Sequence, residues 1–301
     1  MTSLGCVFTP DNPPSRLLPF ARAADAAGLD EVWLWEDCFL ESGIAGAAAV
    51  LGATPRVSVG IGVLPVPLRN VALAAMEIAT LEGVFPGRIV PGVGHGVQSW
   101  MEQVGARVDS PLTLLREHVT ALRSLLGGER VTVSGRYVTL DGVALDWPPA
   151  SPPPVLSAGQ GPKTLRLVGE VADGVVLTGD TGLGKTRAAL RLVADGREAA
   201  GLGAPDLDDE RPFRVVSFIP GATGPGALDR LRSPGGWTAD AADDDALADC
   251  CVWGSAEQLA EGLRRHLDAG ATTVVVQPTG DEPDLEGLVG FLGEEVAPLL
   301  R

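Results

Sequence analysis

The feature that most constrains this chain is an alternation: eight short β-branched, apolar runs, each followed by a longer stretch of helical periodicity. The runs are Leu4–Phe8, Glu31–Trp35, Val57–Val63, Ile89–Gly94, Val155–Ala158, Gly174–Leu177, Phe213–Ile219 and Thr273–Gln277. They are apolar on both faces, as strands of a helix-covered parallel sheet must be. The helical stretches are Ser15–Ala27, Gly43–Gly52, Val71–Val84, Thr113–Leu126, Pro162–Val171, Thr186–Ala200, Ser255–Ala269 and Asp284–Leu300. This order predicts an α/β fold, a closed (β/α)8 TIM barrel. A barrel of this kind takes about 250 residues, so 301 residues suit one domain over 1–301 with insertions.

Local signals agree with the boundaries. Gly28, Gly127, Gly201 and Gly270 each follow a helical stretch, where glycine takes a left-handed conformation without a Cβ penalty. Ser255 and Asp284 are placed as N-caps. Two insertions interrupt the alternation. After the fourth strand, Val131–Leu140 reads as a hairpin turning at Ser134-Gly135, followed by the proline-rich WPPASPPP. After the seventh, Pro220–Asp249 is a long glycine-rich and then acidic connection, of the kind that serves as a lid or binding loop, its acidic run reading as a solvated helix face.

Composition narrows the partners. A formal charge of −16 argues against binding nucleic-acid backbones or anionic membranes. No run approaches the roughly 18 apolar residues of a spanning helix, and the N-terminus does not read as a signal peptide. The four cysteines, Cys6, Cys38, Cys250 and Cys251, have neither a disulfide framework nor metal-site spacing. A reduced, cytoplasmic protein without a metal is the plain reading.

In a barrel of this type, chemistry gathers at the C-terminal ends of the strands. Asp37 falls just past the second strand and Gly62-Val63 ends the third. His95, between Gly94 and Gly96, follows the fourth; the glycines would let a planar ring approach the backbone. After the fifth strand, the loop Ala158-Gly159-Gln160-Gly161 opens a helix whose N-terminus welcomes an anion, with Lys163 and Thr164 as helpers. Thr178 and Gly179 follow the sixth strand on the same side. Trp100 and Trp237 are aromatic candidates for a pocket wall, or ordinary packing residues. His118 and His266 lie in helical stretches, which predicts a structural place on the outer face.

One motif points elsewhere. Gly179–Thr186, GDTGLGKT, matches G-x-x-x-x-G-K-[ST], follows a strand and opens a helix. With Asp37 ending EVWLWED, it would make a nucleotide hydrolase. Five strand–helix units precede it, however, whereas a P-loop normally stands near the start of its domain.

Four segments carry a resemblance to a known family: Gly161–Leu177 (GPKTLRLVGEVADGVVL), Glu31–Leu40 (EVWLWEDCFL), Gly83–Gly96 (GVFPGRIVPGVGHG) and GSAEQLAEGLRRHLDAGATTVVVQP. Spread over most of the chain in family order, they resemble the bacterial-luciferase-like monooxygenase family, and the first resembles its F420-dependent branch. That resemblance implies a flavin or deazaflavin at the barrel mouth. Coenzyme F420 would support hydride transfer to or from a small organic substrate; FMN, the alternative, would support monooxygenation. A barrel that binds a flavin without chemistry is a third reading. By resemblance, Asp37 would contact the ring, Gly62-Val63 would form a bulge with a cis peptide, and His95 would be a proton donor or polar contact. A homodimer is also open. Cys38 stands where relatives carry histidine, and the first strand has no acid, so the sequence departs from the family's catalytic pattern.

Overall fold

The structure, a computed structural model, describes residues 2–203, 212–233 and 243–301; Trp237 and part of the Pro220–Asp249 connection lie outside them. Eight parallel strands form the barrel: β1 Ser3–Phe8, β2 Glu31–Leu34, β3 Ser58–Pro65, β4 Ile89–Gly94, β5 Leu156–Ala158, β6 Gly174–Leu177, β7 Arg214–Ala222 and β8 Thr273–Pro278. Each pairs with its sequence neighbours. The β6–β7 and β8–β1 ladders close the ring.

Helices α1 (Leu17–Ala27), α2 (Gly43–Ala53), α3 (Val71–Val84), α4 (Gln98–Gln103), α5 (Pro111–Leu126), α6 (Pro162–Val171) and α7 (Leu183–Ala199) follow in order. Two short helices, α8 (Ala227–Leu231) and α9 (Asp244–Ala248), lie in the connection after β7, and α10 (Ala256–Asp268) precedes β8. Outward-facing strand residues such as Val59, Ile61, Val274 and Val276 pack against the helices. Inward-facing Val7, Trp33, Val90, Leu156, Val176, Val216, Phe218 and Val275 fill the barrel. Its N-terminal end holds an ion pair, Arg214 to Glu31 at 2.6 Å, and Glu31 also accepts from Trp33 Nε1 at 2.8 Å. The barrel is therefore a packed core, and space for a ligand is left at the C-terminal mouth.

Several boundaries differ from expectation for identifiable reasons. Gly28, Gly201 and Gly270 have φ of 79°, 72° and 111°, but after α5 the left-handed residue is Gly128, because Gly127 remains helical with φ −71°. Helix α7 begins at Leu183 rather than Thr186, since extended Gly182 already starts the turn. The last helix is not continuous: α11 (Leu285–Phe291) passes through a π-helical turn over Leu292–Val296 into α12 (Ala297–Leu300). Pro298 lacks the N–H a regular ladder would need there, and the π turn precedes it. The hairpin pairs Val131–Ser134 with Thr139–Val143, and Glu117 of α5 accepts the N–H groups of Arg136, Tyr137 and Val138. A two-residue strand, Val252–Trp253, adds to the end of β7 and is too short to leave a sequence signal. Ser255 forms a capping box with Gln258, and Asp284 caps α11 through the Gly287 N–H.

Candidate functional site

The C-terminal mouth encloses a cavity of about 380 Å³. All twelve residues named above for the cofactor line it: Asp37, Gly62, Val63, Gly94, His95, Gly96, Ala158, Gly159, Gln160, Gly161, Thr178 and Gly179. Thr164 and Trp100 join them, whereas Lys163 is exposed outside the cavity. Sequence reasoning missed Trp35, Glu36, Pro65, Val97, Val176, Phe218 and Gln277, which also line it. Strand phase was the available signal for most of these. Trp35 stands two residues before Asp37, and Val176, Phe218 and Gln277 share the inward phase of Thr178, Val216 and Val275.

The apolar floor is shaped by a bulge. Register between β3 and β4 slips between Ile61 and Leu64, one residue more on β3 than on β4, and the Gly62–Val63 peptide within the slip is cis. Val63 thereby turns its side chain toward β4. A Cβ on Gly92 would lie 2.4 Å from the Ile61 carbonyl oxygen, and one on Gly94 would lie 2.6 Å from Val63 Cγ2. These glycines make room for the bulge, so Gly94 houses Val63 as well as lining the cavity. Gly96 serves a left-handed turn, φ 68°, packed on Pro65 and Met101. Across the floor, Phe218 meets Trp33 edge-on at 5.5 Å and Trp35 at 5.8 Å.

The polar groups differ in how firmly they are held. Glu36 is buried, paired with Arg69, and accepts the Gly43 N–H at the start of α2 at 2.8 Å; Arg69 also pairs with Glu77 at 3.0 Å. That network anchors the turn carrying Asp37. Burial raises the Asp37 carboxyl above its ordinary range, and the nearby Asp11 charge adds to the effect. Burial pushes the His95 imidazole down, the Pro111 carbonyl acting in the opposite sense. His95 Nε2 lies 3.2 Å from Thr164 Oγ1, while Nδ1 is buried without a hydrogen bond of good geometry. His95 and Thr164 thus line the cavity side by side, joined by that contact. On the other rim, Gln160 donates to Thr178 Oγ1 at 2.9 Å, and Thr178 donates to Asp180 at 2.6 Å.

Cys38 is half-buried and lines a shallow cleft beside the main cavity. The Cys38–Phe39 peptide is also cis. His118 and His266 are away from the mouth, and both are buried rather than on an exposed face.

The G-x-x-x-x-G-K-T stretch does not form an open phosphate cradle. The Asp249 carboxylate covers the start of α7, so that a Cβ on Gly182 would lie 2.1 Å from Asp249 Oδ2. The Leu183 N–H is taken by the Asp249 carbonyl at 3.1 Å, and Lys185 Nζ bonds the Asp180 carbonyl at 3.1 Å. This chain's own acid occupies the helix N-terminus that a nucleotide phosphate would need. Among the described residues no cluster of three or more metal-binding side chains occurs, and no helix is long and apolar enough to cross a membrane.

A filled (β/α)8 barrel with a bulged, apolar-floored cavity at its C-terminal mouth defines the class. The chain belongs to the luciferase-like monooxygenase family, whose model matches residues 3–220. It is 30% identical over 207 residues to a 5,10-methylenetetrahydromethanopterin reductase of Methanolobus tindarius, covering 68% of this chain and 63% of that protein. It is 28% identical to an F420-dependent glucose-6-phosphate dehydrogenase of Nakamurella multipartita, over 96% of this chain and 93% of that one. The fold superposes on an F420-dependent secondary alcohol dehydrogenase in complex with an F420-acetone adduct with a TM-score of 0.84 at 22% identity, over 100% of this chain and 99% of that one.

Proposed function

We propose that this protein is an F420-dependent oxidoreductase that transfers a hydride to or from a small organic substrate. The observation that carries the reading is the convergence of the Val63 bulge, the Trp35–Phe218 floor and a glycine loop at a helix N-terminus on one cavity. Such a cavity fits a long, flat, anionic cofactor: apolar surface for a ring at one end, unpaired N–H groups for a phosphate at the other. F420, when bound, supplies the two-electron hydride chemistry.

The chain's own residues bind, orient and move protons. Asp37, held by the Glu36–Arg69 anchor, fixes the ring, and Gly62-Val63 supports its face. The N–H groups of Gly159–Gly161 and of the first turn of α6 hold the phosphate, with Gln160 and Thr178 as the rim. His95 is the proton donor or polar contact at the mouth, steadied by Thr164, and Trp100 closes one wall. We read residues 1–301 as one domain working in the cytoplasm with free thiols, on a small molecule and without nucleic-acid partners. A homodimer is supported by Leu73, Met76 and Val84, which are exposed along α3.

FMN is the second reading, favoured by the monooxygenase relationship of the family model. The test is titration of the protein with F420, FMN and Mg-ATP, following cofactor fluorescence and thermal stabilisation. Saturable quenching by F420 is expected. Tighter FMN binding would favour oxygen chemistry, and stabilisation by Mg-ATP that is lost in Lys185→Ala would overturn the reading. Cofactor binding without turnover would leave a binding barrel.

A further inference from the structure

Gln277 is the most buried hydrogen-bonding side chain of the cavity. It is 3% exposed, near the C-terminal end of β8, facing inward beside Gly179 and Phe218. A carboxamide offers one acceptor and two donors. Its Oε1 is buried without a partner, and no hydrogen bond from Nε2 is present among the described residues. A buried polar group left unmatched costs stability, and a ligand group that pairs with it removes that cost.

In the closed ring of eight strands, β8 lies four strands from β4, directly across the mouth from His95. The floor between them is apolar, made of Trp35, Val63, Val176 and Phe218. A flat ligand on that floor therefore meets the unanchored carboxamide at one edge. Gly179 is part of the arrangement, because a Cβ there would stand 2.7 Å from Gln277 Oε1. The glycine keeps space for the amide.

We propose that Gln277 recognises the ring's cyclic imide edge, Nε2–H donating to the imide carbonyl and Oε1 accepting from the imide N–H. This assignment rests on the reading that a flavin-type ring occupies the mouth. Only an edge that carries an acceptor and a donor side by side satisfies both ends of the carboxamide at once. Flavin and deazaflavin rings share that edge, so Gln277 contributes to holding the ring without distinguishing the two.

The experiment is a fluorescence-quenching titration with F420, and with its deazaflavin chromophore bearing or lacking a methyl group on the imide nitrogen. For wild type, the methyl group is expected to weaken binding tenfold or more. Gln277→Leu, similar in volume, is expected to bind F420 at least tenfold more weakly and to lose discrimination against the methyl group. Its melting temperature should hold or rise, because an unmatched buried polar group is removed. Gln277→Glu, whose ionised carboxylate cannot donate, should be weakened as well at a pH where that carboxyl is ionised. Unchanged affinity in a folded Gln277→Leu, or equal binding of both chromophores by wild type, overturns the assignment alone. Failure of wild type to bind F420 or FMN overturns the cofactor reading and this assignment with it.

Discussion

Gly94→Ala tests the origin of the cavity floor. Gly94 does not have positive φ, so alanine meets no backbone penalty there. In a strand, replacing glycine by alanine would ordinarily stabilise by about 0.5–1 kcal/mol. Here the added Cβ would lie 2.6 Å from Val63 Cγ2, against an ordinary carbon–carbon contact of about 3.5–4.0 Å. Val63 must retreat by roughly 1 Å, and overpacking of this kind costs about 1–3 kcal/mol. The sign of the effect is thereby reversed. Urea denaturation of Gly94→Ala should show that loss, with F420 affinity falling in parallel as Val63 leaves the floor. Val63→Ala removes the clashing methyl, so in the double variant the two losses should fail to add by about 1–3 kcal/mol. A stabilised Gly94→Ala, or strictly additive single effects, would refute the argument that Gly94 exists to house the bulge.

Asp37→Ala should weaken cofactor binding at least tenfold, about 1.4 kcal/mol, without loss of stability at neutral pH, because burial raises this carboxyl's pKa; equilibrium titration alongside a melting curve checks both. Burial pushes His118 and His266 down to about 4, so the folded state binds fewer protons than the unfolded chain at intermediate pH. Stability present above the unfolded value near 6.5 is then lost as pH falls toward 4, by roughly 3 kcal/mol per histidine. His266→Leu should flatten the urea midpoint over that window; an unchanged slope would contradict it. Timed alkylation with mass mapping should find Cys250 reacting well before Cys6. Cys250 is half-buried and acidified by Cys251, whereas Cys6 is fully buried and its thiol strongly raised.

The barrel was legible because parallel strands covered on both faces leave dense apolar runs, and eight such runs in alternation with helices have few other solutions. The mouth was legible where a glycine or a charge ends a strand, as at Asp37, Gly62, His95 and Gly159–Gly161. Other features depend on contacts between distant segments. Glu36 reads as one more acid beside Asp37 until Arg69 is seen to pair with it. Nothing in the sequence shows that Gly94 also makes room for Val63. The G-K-T motif reads as a phosphate loop until Asp249, 67 residues beyond Gly182, is found on the helix start. Gln277 and Phe218 carried the right strand phase but no unusual neighbours, so nothing local marked them.

The most direct measurement is a crystal structure of the protein with F420 bound. The ring is expected on the Trp35–Val63–Phe218 floor beside Asp37, with the phosphate at Gly159–Gly161 and the first turn of α6. Density for the cofactor at Gly179–Thr186 or at the N-terminal end of the barrel, with the mouth empty, would contradict it.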